Sequence, residues 1–104
     1  MAYTVVVWSP KALEDVESIA EYIARDSKFY AAAVVRKIID STRKLNHFPQ
    51  SGRIVPELNE ESIREIFVYS YRIIYRIQSD IITIAAVIHG KQKLDQIKDD
   101  LNKP

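Results

Sequence analysis

Hydrophobic positions change their spacing twice along the chain. Residues 3–8 are β-branched and aromatic, which predicts a first strand. Ser9 and Pro10 then provide an N-cap and a first helical residue, and apolar residues recur at three- and four-residue spacing to about Arg25, which predicts a helix. Residues 26–27 interrupt the pattern, and Ser27 can cap a second helix. A second apolar stripe to about Asn46 predicts another helix, antiparallel to the first because the turn is short.

From Ile63 onward the spacing becomes two, in three short runs separated by turns predicted at residues 69–70 and 79–80. In the middle run, Arg72 and Arg76 share one face, and tyrosines and isoleucines occupy the other. One face should therefore be core while the other presents arginines. Arg64 lies on the first run and His89 ends the third. We expect these cations to converge on one side of a small sheet.

The remaining segments complete the predicted fold. Residues 49–62 form the long irregular connection, and the tail after Gly90 carries Leu94, Ile97 and Leu101 at helical spacing. We predict an α+β domain over residues 1–104: an N-terminal strand, a two-helix antiparallel hairpin, a three-stranded antiparallel meander and a short C-terminal helix. The four strands are expected to form one mainly antiparallel sheet.

Composition narrows the functional classes. With 104 residues, 47% hydrophobic and 28% charged, the chain fits one soluble domain. No run approaches the roughly 18 apolar residues of a membrane span, and the N-terminus lacks a basic leader. The sequence has no cysteine, so disulfides and thiolate metal sites are excluded. We expect a cytoplasmic protein with no cofactor, metal or membrane partner, and the pI near 8.0 is low for a duplex-binding domain.

Several motifs together resemble one protein family. In chain order they are WSPKALEDVESIAEYIA, FPQSGRIVPE, IREI, YRIIYRI and AAVIHGK. They resemble the signatures of the RelE/ParE superfamily of bacterial toxins from type II toxin–antitoxin systems. The resemblance implies a cognate ParD- or RelB-like antitoxin, which lays an extended or helical segment over the toxin in a hetero-oligomer. It also implies one of two targets: RelE-like members cleave messenger RNA on the ribosome, and ParE-like members poison DNA gyrase.

The nuclease branch would need catalytic residues. RNA cleavage at a 2′-hydroxyl requires a base, cations that stabilise the phosphorane and a proton donor. The resemblance implies Arg72 near the scissile phosphate, with Arg64 as an approximate match to a strand lysine. A second nuclease pattern in the superfamily pairs a glutamate with a histidine, which Glu57 and His89 would supply. Structural roles compete with both: Glu57 would pair with an arginine, and His89 would cap a strand end.

Other parts of a RelE-like site are missing. Gln92 stands where those nucleases carry a further arginine, and residues 91–104 contain no tyrosine or histidine. Arginines on the middle run are also expected to pair with Glu65 across the sheet. Because Arg64 and Glu65 are adjacent and face opposite sides, we expect some cation to remain without a carboxylate.

The incomplete nuclease set favours a ParE-like inhibitor of DNA gyrase, which is not itself an enzyme. The alternatives are a ribosome-dependent mRNA endoribonuclease and an inactive antitoxin-binding module. Five cationic residues are candidates for binding the target or the antitoxin: Arg53, Arg64, Arg72, Arg76 and Lys91.

Overall fold

A computed structural model describes residues 4–90 of the chain. The predicted C-terminal helix and Lys91 lie outside the described residues. The elements in chain order are β1 (Val5–Trp8), α1 (Pro10–Ala24), α2 (Lys28–Arg43), one 3₁₀ turn (Lys44–Asn46), β2 (Arg53–Ile54), β3 (Ile63–Val68), β4 (Tyr71–Gln78) and β5 (Ile81–His89). The α+β class, the helical hairpin and the meander were predicted from the sequence, and all three are present.

Serine caps start both helices where the sequence pattern placed them. The Ser9 hydroxyl accepts a hydrogen bond from the Ala12 N–H at 3.1 Å, and Pro10 occupies the first helical position. The Ser27 hydroxyl accepts from the Tyr30 N–H at 3.0 Å. At its end, α2 tightens into the 3₁₀ turn, so the second helix ends slightly earlier than predicted.

The sheet has five strands in the order β1-β5-β4-β3-β2. Strands β2 to β5 are antiparallel, whereas β1 runs parallel to β5, so the sheet is mixed. The predicted count of four is wrong because β2, Arg53–Ile54, lies in the segment predicted to be irregular. Two residues are too few to show the alternation that marks a strand in sequence.

The helices cover one face of the sheet. Ile38 of α2 packs there against the main core, together with Ile73 and Tyr75 of β4, and all three are fully buried. A second, smaller apolar cluster lies on the opposite face: Val55, Ile63, Ile74, Ala86 and Ile88, with Leu58 packed against it. The face of the sheet opposite α1 and α2 is therefore partly covered by the segment that joins β2 to β3.

Candidate functional site

Strand register separates the predicted cations between the two faces of the sheet. Arg64 pairs with Tyr75, which is part of the helix-covered core, whereas Arg53 pairs with Glu65 on the other face. His89 pairs with Tyr71, and their rings make an edge contact with centroids 5.8 Å apart. The expected convergence of cations on one face is therefore wrong for Arg64 and His89. A bulge at Ile74/Tyr75 shifts the β4–β5 register by one residue and moves His89 to the other face.

Four residues on the sheet face opposite α1 and α2 form what we call the ion-pair cluster: Arg53, Glu57, Glu65 and Arg72. Its centre is Glu65, whose side chain is 0% exposed. One carboxylate oxygen of Glu65 accepts from Arg72 Nε and the other from Arg53 Nε, each at 2.6 Å. The predicted cross-strand pair between Arg72 and Glu65 is thus present. A buried carboxylate requires such partners, because desolvation otherwise disfavours its charged form.

Glu57 closes the cluster from the connecting segment. Its two carboxylate oxygens accept from Arg72 Nη1 at 2.8 Å and Nη2 at 2.9 Å, which is a bidentate pair. All three nitrogens of the Arg72 guanidinium therefore donate to carboxylates, and the Arg72 side chain is only 8% exposed. The hydrogen bonds from Arg72 lower the pKa of Glu57, with burial opposing them. The same hydrogen bonds raise the pKa of Arg72 further above its usual value.

Arg53 is the outer member of the cluster. Its side chain is 58% exposed, while its Nε remains fixed on Glu65. The guanidinium carbon lies 5.0 Å from the ring centroid of Phe67, which is also exposed. One edge of Arg53 is thus anchored on Glu65, while the side chain remains more than half exposed beside an aromatic ring.

Gly52 and Tyr75 position this part of the chain. The Gly52 N–H donates to the Tyr75 hydroxyl at 3.0 Å, and that hydroxyl donates to the Pro49 carbonyl at 2.7 Å. A Cβ on Gly52 would lie 2.6 Å from both the Glu65 carbonyl oxygen and the Tyr75 hydroxyl, so only glycine fits. Burial raises the pKa of Tyr75, which keeps its hydroxyl protonated as a donor.

Arg64 has a structural role at the same junction. Its Nη1 donates to the Gly52 carbonyl at 3.0 Å and its Nε to the Glu61 carbonyl at 3.0 Å. Carbonyl groups are neutral, so Arg64 keeps a net positive charge while it ties the connecting segment together. Within residues 4–90 it forms no ion pair with a carboxylate, in agreement with the expectation that one cation would lack such a partner.

The predicted nuclease residues are only partly brought together. Arg72 and Glu57 are in contact, whereas Arg64 and His89 belong to the opposite face. Arg76 is half-buried on β4 opposite Ile63. The structural roles of Gly52 and Tyr75 were not predicted from the sequence. The glycine in SGR was the one local sign of a close approach at this point. Within residues 4–90, no group of three or more His, Asp or Glu side chains lies close enough to hold a metal ion, and no helix is long and apolar enough to cross a membrane.

The fold and these motifs define a small toxin of the RelE/ParE superfamily. Residues 6–94 match the family described as ParE toxin of type II toxin-antitoxin system, parDE, and the chain belongs to that family. A Sinorhizobium fredii protein, provisionally named toxin Y4kP, is 34% identical over 92 residues, which cover 86% of this chain and 92% of that protein.

Solved structures share the fold at low sequence identity. A chain of the chromosomal ParDE system from P. aeruginosa matches with a TM-score of 0.70 and 18% identity, over 83% of this chain and 95% of that one. A variant of E. coli toxin RelE in the free state matches with a TM-score of 0.61 and 14% identity, over 88% of this chain and 86% of that one. The YoeB dimer from Staphylococcus aureus matches with a TM-score of 0.57 and 19% identity, over 85% of this chain and 98% of that one.

Proposed function

We propose that this type II toxin arrests growth by ParE-like inhibition of DNA gyrase in the cytoplasm, without catalysing a reaction itself. The observation that carries the proposal is the bidentate Arg72–Glu57 pair. The residues best suited to RNA cleavage neutralise each other, so neither is directed at a substrate. The match to the ParE family over residues 6–94 supports the same choice.

Each nuclease role meets a specific obstacle. A scissile phosphate would have to displace Glu57 before it reached Arg72. A general base works best with a pKa near the operating pH, and the lowered pKa of Glu57 moves it away from that range. His89 and Glu57 stand on opposite faces of the sheet, so they do not form the glutamate–histidine pair that a nuclease would use. The structural likeness to RelE and YoeB supports a common fold alone.

The family implies an antitoxin partner, and we propose that this partner is ParD-like and binds in a hetero-oligomer. Arg53 is the best placed of the five cationic candidates to contact the target or the antitoxin, because its exposed edge is held rigidly over Phe67. Contacts through a rigid side chain lose less conformational entropy on binding.

The test is a gyrase cleavage assay with the purified toxin, supercoiled plasmid and ATP. We expect linear DNA to accumulate after protein denaturation, and we expect the antitoxin to prevent it. Arg53→Ala should weaken the effect, while Arg43→Ala should not, since it removes the same charge from a 77% exposed side chain at the end of α2.

Two outcomes would overturn the proposal. Cleavage of ribosome-bound message by the toxin, with no gyrase complex, would establish the endoribonuclease alternative. Harmless expression without antitoxin, with neither activity in vitro, would establish the inactive antitoxin-binding module. In cells, labelled thymidine incorporation should stop before labelled methionine incorporation, and the reverse order would count against gyrase as the target.

A further inference from the structure

The two carboxylates that bind Arg72 come from different kinds of structure. Glu65 belongs to β3 and is fully buried, whereas Glu57 belongs to the β2–β3 connection and its side chain is 39% exposed. We propose that the outer edge of the Arg72 guanidinium is a carboxylate-binding site, which Glu57 fills in the isolated chain and which an acidic side chain of a protein partner takes over by displacing Glu57.

The connection is anchored in a way that lets Glu57 leave without unfolding it. Val55 is fully buried, and its N–H donates to the Ile63 carbonyl at 3.1 Å. The N–H groups of Leu58 and Asn59 both donate to the Val55 carbonyl, at 3.1 and 2.9 Å, and Leu58 packs on the smaller apolar cluster. These contacts hold the backbone on either side of Glu57. A rotamer change of Glu57 breaks its two bonds to Arg72 and leaves the anchors in place.

Charge balance requires an anion at this position. The ion-pair cluster contains two arginines and two glutamates, so it is neutral with Glu57 in place. When Glu57 leaves, Glu65 alone must neutralise Arg53 and Arg72, and the side chain of Arg72 is nearly buried. An almost buried cation without a full complement of acceptors is costly. Displacement is therefore favourable only when another anion arrives.

The surroundings favour a carboxylate over a doubly charged phosphate. Both groups fit the two parallel N–H bonds that an arginine edge offers. The Glu65 carboxylate, however, lies 2.6 Å from Nε of the same guanidinium, and it would repel a doubly charged phosphate more than a singly charged carboxylate. Phe67 and Arg53 at the rim are exposed and offer an apolar and a cationic contact to the residues that flank an incoming acidic side chain.

The proposed site at Arg72 is independent of whether gyrase is the target, because it follows from contacts within the chain. It assigns Glu57 the role of an intramolecular competitor. Such a competitor weakens every ligand of Arg72, because the apparent Kd is the intrinsic Kd divided by the fraction of time that the site is free. Removing Glu57 should therefore strengthen the binding of an external carboxylate.

A triglutamate peptide serves as the probe, with binding followed by the NMR resonance of the Arg72 Nε–H. Glu57→Ala should bind the peptide about fivefold more tightly than the wild type, since the competing carboxylate is gone. Glu60→Ala is the matched control: it removes the same charge from an exposed residue of the same connection, and its affinity should stay within about twofold of wild type. An equal gain in peptide affinity in Glu57→Ala and Glu60→Ala would overturn the proposal.

Chemical rescue gives an independent readout. Glu57→Ala should lose thermal stability, and sodium acetate should restore much of it relative to sodium chloride at equal ionic strength. Wild type and Glu60→Ala should show no acetate effect. If Glu57→Ala does not fold, Glu57→Ser replaces it, because serine is also short and leaves the outer edge of Arg72 open to acetate. If acetate does not stabilise the Glu57 variant, the proposed binding site at Arg72 is wrong. If phosphate stabilises it more than acetate does, the proposed preference for a carboxylate is wrong.

Discussion

The two faces of the sheet are stabilised by different means. On the helix-covered face, Ile38 and Tyr75 belong to a continuous apolar core built from α1, α2 and three strands. On the other face, a small apolar cluster borders charged side chains that satisfy one another around Glu65. Apolar packing tolerates replacement by another side chain of similar volume, whereas a buried charge depends on its own partner. A single substitution should therefore be more damaging at the ion-pair cluster than in most of the larger core.

The largest effect is expected from Arg72→Met. It leaves the fully buried Glu65 with the half-exposed Arg53 as its remaining cationic partner, which should lower the free energy of unfolding by about 4 kcal/mol. Urea denaturation measures the change. The double variant Glu65→Leu with Arg72→Met should regain much of the loss, because no buried charge then lacks its partner. A double variant no more stable than the single one would show that the loss came from packing and not from charge.

Ile38→Ala tests the helix-covered face. Ile38 is 0% exposed on α2, and the cavity left by truncation should cost about 3 kcal/mol in unfolding free energy. Leu13→Ala on α1 is the matched control, since Leu13 is 52% exposed and should cost well under 1 kcal/mol by the same denaturation assay. A larger loss for Ile38→Ala than for Arg72→Met would reverse the ranking of the two faces.

Gly52→Ala tests the junction that carries Arg53. The added methyl would lie 2.6 Å from the Glu65 carbonyl and the Tyr75 hydroxyl, and the required shift should cost about 2 kcal/mol. Gly90→Ala is the control, because its Cβ would lie 3.2 Å from one carbonyl oxygen, that of Ser70, and a small adjustment suffices. Thermal unfolding of both variants compares them. Similar melting temperatures would contradict the close approach at Gly52.

The smallest effect concerns the pH dependence of the Glu57–Arg72 pair. The pKa of Glu57 is lowered in the folded state, so its contribution to stability is present above the unfolded value near 4.5 and is lost as pH falls through the folded-state pKa. At neutral pH the free energy of unfolding of the wild type should exceed that of Glu57→Gln by about 1 kcal/mol or less. The difference is small because solvent screens the partly exposed carboxylate. Denaturation across acidic pH should show the two proteins converging. A difference that persists at the lowest pH would mean that the pair's charge is not its source.

Local signals predicted the helices and much of the meander. Ser9 and Ser27 mark both helix starts, because capping is a short-range interaction that leaves a clear trace in sequence. The turn at residues 69–70 was also predicted, and two-residue turns fix which residues of a hairpin face each other. That turn already places Arg64 opposite Tyr75 rather than beside Arg72, so the error on Arg64 was avoidable.

Other features depend on contacts that no local pattern records. The bulge between Ile74 and Tyr75 reverses the face of His89, and a run of isoleucines and alanines gives no sign of it. Strand β2 forms because Gly52 lets Arg53 approach β3, which is a tertiary contact. The pairing of Arg72 with Glu65 was predicted as an ion pair between neighbouring strands. For Glu57, the sequence predicted a pair with an arginine but did not identify Arg72 as the partner or the bidentate geometry.

The parallel pairing of β1 with β5 affects how the chain is made. Val5 aligns with Ile81, and the Ser9 hydroxyl donates to the Ala85 carbonyl across 76 positions of sequence. During synthesis the first strand emerges long before its neighbour does, so the sheet is completed only after β5 has left the ribosome. Contacts between such distant segments slow folding, because a long loop must close before they form. A newly made molecule should therefore reach its native fold later than its polypeptide appears.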